Sequence, residues 1–80
     1  MSDSWLVCTI SKGMFSDEFV VRYGSQAVFV SSDKVRITSP QEGTGMVRVK
    51  RFQEGGQSWA VLPTEGRPVI AVKESDLVAA

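Results

Sequence analysis

The chain has 80 residues, with nine basic and nine acidic side chains, no histidine and one cysteine, Cys8. That length leaves no room for a second domain, an internal disulfide is excluded, and a zinc site built from Cys and His would have a single ligand. With 42% hydrophobic and 22% charged residues the composition is that of a folded unit, so residues 1–80 are expected to form one small domain.

The first strand is expected over Trp5 to Lys12, where Leu6, Cys8 and Ile10 fall on one face and Trp5, Val7 and Thr9 on the other. Gly13 ends it. Gly13-Met14-Phe15-Ser16-Asp17 reads as a loop whose two large apolar side chains are expected to fold back onto the core. Glu18 to Tyr23 alternates, and Gly24-Ser25 turns the chain into Gln26 to Val30, giving a hairpin. After Ser31-Ser32-Asp33-Lys34, a short strand places Val35 and Ile37 opposite Lys34, Arg36 and Thr38.

Ser39 to Gly45 combines one Pro and two Gly with polar residues and is the longest expected loop. Met46 to Phe52 alternates again, with Val47 and Val49 set against Arg48 and Lys50, and Gln53-Glu54-Gly55-Gly56-Gln57 closes a hairpin onto Ser58 to Leu62. A turn at Pro63 to Pro68 precedes a strand at Val69 to Val72, which leads into Lys73-Glu74-Ser75-Asp76-Leu77-Val78. No window carries apolar residues at helical spacing, so the expected class is all-β, built from five to six short antiparallel strands.

From Gly45 onward, the order of strand, hairpin, W-A-V-L-P strand, Gly-containing turn, V-I-A-V strand and K-E-S-D-L-V resembles the last half of a small SH3-like barrel. The resemblance implies one helical turn at Glu74-Ser75-Asp76 near the C-terminus, with Leu77 plugging the barrel end. It stays at the level of fold, because the Ala-Leu-Tyr-Asp-Tyr stretch and the Trp-Trp pair of peptide-binding SH3 domains are absent. Ser32-Asp33-Lys34-Val35 and Ser75-Asp76-Leu77-Val78 echo one another, each after an apolar strand, over a length too short to establish a repeat.

Charge is unevenly spread although it sums to zero: Met1 to Asp33 carries −2, Lys34 to Arg51 carries +4, and Phe52 to Ala80 carries −2. Any affinity for an anionic partner must therefore be local. Arg48, Lys50 and Arg51, joined by Lys34 and Arg36, are the candidate phosphate contacts of a nucleic-acid-binding barrel, with Trp59, Tyr23 or Phe52 as stacking partners. The same charges would also serve to protect a solvated strand edge.

Trp5, Phe15 and Trp59, with Met14, are bulky for so small a core and form the other candidate, a surface for a protein partner or a second copy of the chain. This reading of a non-enzymatic interaction module is the primary expectation, and nucleic-acid binding the alternative. Catalysis is not expected, since Cys8 lies mid-strand with no histidine to activate it and the acidic pairs Asp17-Glu18 and Glu74-Asp76 sit in turns. Gly43-Thr44-Gly45 and Gly55-Gly56 do not open a helix with a Lys-Ser or Lys-Thr pair, so they read as turns rather than nucleotide loops, and no cofactor or metal is expected. The N-terminus lacks a basic region followed by an apolar run, and no stretch reaches membrane-spanning length, so a cytoplasmic protein without membrane attachment is the expectation.

Overall fold

A computed structural model describes residues 2–39 and 41–80. Among these residues eight strands run in chain order: β1 (Ser2–Lys12), β2 (Glu18–Tyr23), β3 (Gln26–Ser31), β4 (Val35–Ser39), β5 (Thr44–Glu54), β6 (Gln57–Val61), β7 (Val69–Val72) and β8 (Leu77–Ala79). The only helical elements among the described residues are 3-10 turns at Ser32–Lys34, before β4, and Glu74–Asp76, before β8. The protein is all-β, an antiparallel sheet curled into a barrel-like form. Six strands make its continuous path, β3-β2-β1-β5-β6-β7, and the short β4 and β8 add to β5 and β1.

The alternation of the sequence sets the two faces. Leu6, Cys8 and Ile10 of β1, Val47 and Val49 of β5, Ala60 of β6, and Ile70 and Val72 of β7 point inward and are buried together. Gly55 and Gly56 both hold positive φ in the β5–β6 hairpin, a conformation that glycine adopts without the Cβ clash of other residues. The turn expected at Glu74–Asp76 is present, and Leu77 after it packs against the core. The long loop is shorter than its composition suggested, because Ser39 still belongs to β4 and Thr44 and Gly45 already belong to β5; Pro40 lies outside the described residues.

β1 and β5 are long enough to serve two half-sheets each. One edge of β1 pairs with β5, while the other edge takes β8 at Ser4 to Leu6 and β2 at Thr9 to Lys12. One edge of β5 pairs with β1, while the other takes β4 at Thr44 to Val47 and β6 at Lys50 to Glu54. Each long strand thus has a seam where its outer partners diverge, at Val7-Cys8 on β1 and at Arg48-Val49 on β5.

The two halves follow one plan: a long strand, two strands, a 3-10 turn and a short strand, in β1 to β4 and again in β5 to β8. Leu6 and Val47 pair with each other at its centre. Leu6 also pairs with Leu77 and Val47 with Val35, and Leu77 and Val35 are each the first residue after a 3-10 turn. A pseudo-two-fold axis therefore passes between Leu6 and Val47, both 0% exposed. The structural echo aligns Ser32–Lys34 with Glu74–Asp76, one residue away from the alignment that the shared Ser-Asp suggests.

Candidate anion-binding groove

The two seams are related by the pseudo-two-fold axis but are not alike. At the β1 seam, Tyr23 at the end of β2 donates its hydroxyl proton to Asp76 Oδ2 at 2.6 Å and accepts the Lys73 N–H at 2.9 Å. These bonds tie the second 3-10 turn to β2 and seal the gap. Burial, then the Asp76 carboxylate, push the Tyr23 phenol above its ordinary value, so it remains a donor at neutral pH.

Register gives the equivalent positions on β5. Ile10 pairs with Val21 and Arg51 with Ala60, so Tyr23 corresponds to Leu62, two residues beyond, and Asp76 corresponds to Lys34, the last residue of its turn. The Leu62 side chain has no polar atom to offer Lys34, and the side-chain contact that closes one seam has no counterpart at the other. The two-residue turn Gly24-Ser25 is matched there by the longer segment from Leu62 to Pro68.

An open groove of about 1080 Å³ occupies this second seam. Arg48, Val49 and Lys50 of β5 line it with Asp3 and Val61, joined by Phe29 of β3, Lys34 of the first 3-10 turn, and Pro63, Thr64, Glu65 and Arg67 of the segment between β6 and β7. Its charged lining comprises four cations, Lys34, Arg48, Lys50 and Arg67, against two acids, Asp3 and Glu65. The equivalents of Arg48 and Lys50 at the sealed seam are Val7 and Thr9, so the paired strand cations belong to one seam alone.

Hydrogen bonds tie parts of this lining together. Thr64 donates its hydroxyl to the Phe29 carbonyl at 2.7 Å, and the Arg67 N–H bonds the Thr64 carbonyl at 2.9 Å. Arg67 sits at φ 44°, the left-handed region that a side chain enters at a cost, and is the only such non-glycine among the described residues. Between β1 and β5, the Asp3 carboxylate takes Arg48 Nη2 at 3.0 Å and Lys50 Nζ at 2.5 Å. Hydrogen bonds from Lys50 and then Arg48 hold that carboxyl below its usual range.

The expected basic strand is thus divided. Arg48 and Lys50 face the groove, whereas Arg51, one residue out of phase, lies on the other face and pairs with Glu74 at 2.7 Å. Glu74 also accepts from Ser58 Oγ, and the Ser58 bond followed by Arg51 lowers its carboxyl. Arg36 lies apart as well, its guanidinium carbon 4.7 Å from the centre of the Trp5 ring, a cation–π contact.

The aromatic candidates occupy three places. Trp5 is half-buried on the outer face of β1. Trp59, also half-buried, pairs with Phe52 beyond the start of β1, while Phe15 follows the other end of β1. Met14 and Phe15 do not fold back as expected: they are 83% and 67% exposed. Bonds between Gly13 N–H and the Glu18 carbonyl and between Glu18 N–H and the Phe15 carbonyl close a tight loop that aims both side chains outward, while Ile10 and Phe19 fill the core below.

Phe29, Arg67 and Asp3 are the groove residues that sequence reasoning missed. Alternation within β2 and β3 could have put Phe29 opposite the inward Val28 and Val30, but nothing local brings it to Arg67. Cys8 is buried, and desolvation pushes its thiol up to about 11. Native protein is accordingly expected to be inert to a disulfide-exchange reagent near neutral pH and to release one equivalent of chromophore on unfolding; fast labelling of the folded protein would contradict this burial. Among the described residues no group of three or more potential ligands gathers around a metal position, and no helix is long and apolar enough to cross a membrane. Comparison with protein-family models, curated proteins and solved structures returned no match.

Proposed function

We propose that the chain is a non-catalytic binding module for an anionic polymer, which docks in the groove at the β5 seam. The observation behind this reading is the gathering of Lys34, Arg48, Lys50 and Arg67 at the one seam left open, where the related seam is sealed and its matching strand positions are uncharged. The groove is open rather than enclosed, which suits a segment of a polymer. The strand order β8-β1-β5-β6-β7, with a 3-10 turn before β8, supports an SH3-like barrel as the scaffold.

Phosphate contacts release counterions, so affinity for labelled polyphosphate should fall steeply with salt, with a slope that grows with the number of contacts. Reversing charge in Lys34→Glu/Arg67→Glu is expected to weaken binding at least ten-fold and flatten that slope. Phe15→Asp, outside the groove, should leave binding unchanged. Equal affinity of the double variant and the parent would end the proposal.

A protein-binding role has one observation of its own, the outward Met14 and Phe15 at the tip of the β1–β2 loop. Exposed apolar tips of this kind serve as interface anchors. The free thiol of Cys8 accords with a reducing, cytoplasmic setting.

A further inference from the structure

Building on the proposal of an anionic ligand, we infer that the ligand is single-stranded nucleic acid, that Phe29 stacks on one of its bases, and that Asp3 occupies a phosphate position in the free protein. Arg48 and Lys50 stand two residues apart on one face of β5, and their side chains converge on the two oxygens of a single carboxylate. A carboxylate and a phosphodiester each present two oxygens that share one negative charge. The cations are therefore already arranged for a phosphate, with a side chain of the protein in its place.

Asp3 is displaceable, because its side chain is 36% exposed and its partners are more exposed still. Exposed ion pairs of this kind contribute little to stability, so exchanging the carboxylate for a ligand phosphate costs the fold little. Lys34 and Arg67, which also line the groove, form no ion pair among the described residues and offer further phosphate contacts.

Phe29 decides between classes of anion. It is 50% exposed on the outer face of β3, with Val61 and Pro63 supplying apolar surface nearby, and its backbone is pinned by Thr64. An acidic peptide or an inorganic polyanion would satisfy the cations and leave that ring unused. A nucleobase has a π-face for it, and stacking on an aromatic side chain is a recurrent device of single-strand binding. A duplex hides its base faces, so the unpaired strand is the form that fits.

The test measures anisotropy of the full chain with a short labelled thymidine oligonucleotide, its duplex form, polyphosphate of matched charge and polyglutamate. The single-stranded oligonucleotide is expected to bind tightest. Phe29→Leu, which keeps apolar volume but removes the π-face, should weaken that probe about ten-fold and leave polyphosphate unaffected, while Phe29→Trp should restore it. Asp3→Asn should strengthen oligonucleotide binding several-fold more than Glu42→Gln, which removes the same charge from an exposed loop outside the groove.

If polyphosphate binds as well as the oligonucleotide and Phe29→Leu is silent, the anion groove stands and the nucleic-acid inference falls. Preference for polyglutamate, or for the duplex, overturns it in favour of that ligand. Equal gains from Asp3→Asn and Glu42→Gln overturn the role given to Asp3. Failure to bind any probe removes both the inference and the reading on which it rests.

Discussion

Leu6→Ala is expected to remove about 2–5 kcal/mol of stability, the range for truncating a fully buried leucine. A domain of 80 residues has about 4–12 kcal/mol in total, so this one side chain carries a large fraction of it. Position is the reason: Leu6 is the inward residue through which β8, β1, β5 and β4 form one continuous row, Leu77-Leu6-Val47-Val35. A cavity there lies on the axis and touches both half-sheets, so neither can collapse into it without disturbing the other. Urea unfolding should show a midpoint lowered by about 2 M or more, given a slope near 1 kcal/mol/M for so small a protein. Because Val47 is its direct partner, Leu6→Ala/Val47→Ala should depart from additivity. A midpoint shift no larger than that of the half-exposed Val69→Ala would show that the row is not the centre of the fold.

Gly45→Ala is expected to be nearly as damaging for the opposite reason, excess volume. A Cβ at Gly45 would stand 2.6 Å from the Arg36 carbonyl oxygen and 3.1 Å from the Ile37 Cα, and 2.5 Å from the Ile10 Cδ1. The isoleucine tip can swing away. The other two atoms are backbone of β4, so accommodation requires β4 to move off β5, at about 1–3 kcal/mol or more. At roughly 4–8 °C per kcal/mol for a domain of this size, the melting temperature should fall by around 10 °C. Gly24→Ala is the informative contrast, since a Cβ there meets nothing within 4 Å and its cost arises from positive φ alone. A melt of Gly45→Ala that matches the parent would mean that β4 is far more loosely held than its pairing indicates.

Much of this architecture can be read along the chain because it is local. Period-two alternation places Leu6, Cys8 and Ile10 inward and Arg48 and Lys50 outward, and the same rule separates Arg51 from them even though it is adjacent in sequence. Gly24-Ser25 and Gly55-Gly56 mark their hairpins through the conformations they permit. The sharing of β1 and β5 between two half-sheets is not local, since the number of partners along an edge depends on the return of β4 and β8 from other parts of the chain. The groove is hidden for the same cause: Asp3, Phe29, Lys34, Arg48 and Arg67 come from five segments, each unexceptional by itself. Met14 and Phe15 mislead because apolarity favours burial only where the core has space, and that space is already filled.

The pairing of two like halves within one chain has a consequence for how such a protein can be altered. In a symmetric dimer of identical subunits, every substitution appears twice, and a cluster of positive charge placed at one interface seam is imposed on the other as well. Covalent union of the halves lifts that constraint. Tyr23 and Asp76 can lock one seam while Leu62 and Lys34, at the matching positions, leave the other open, so structural closure and ligand access need not compete for the same residues.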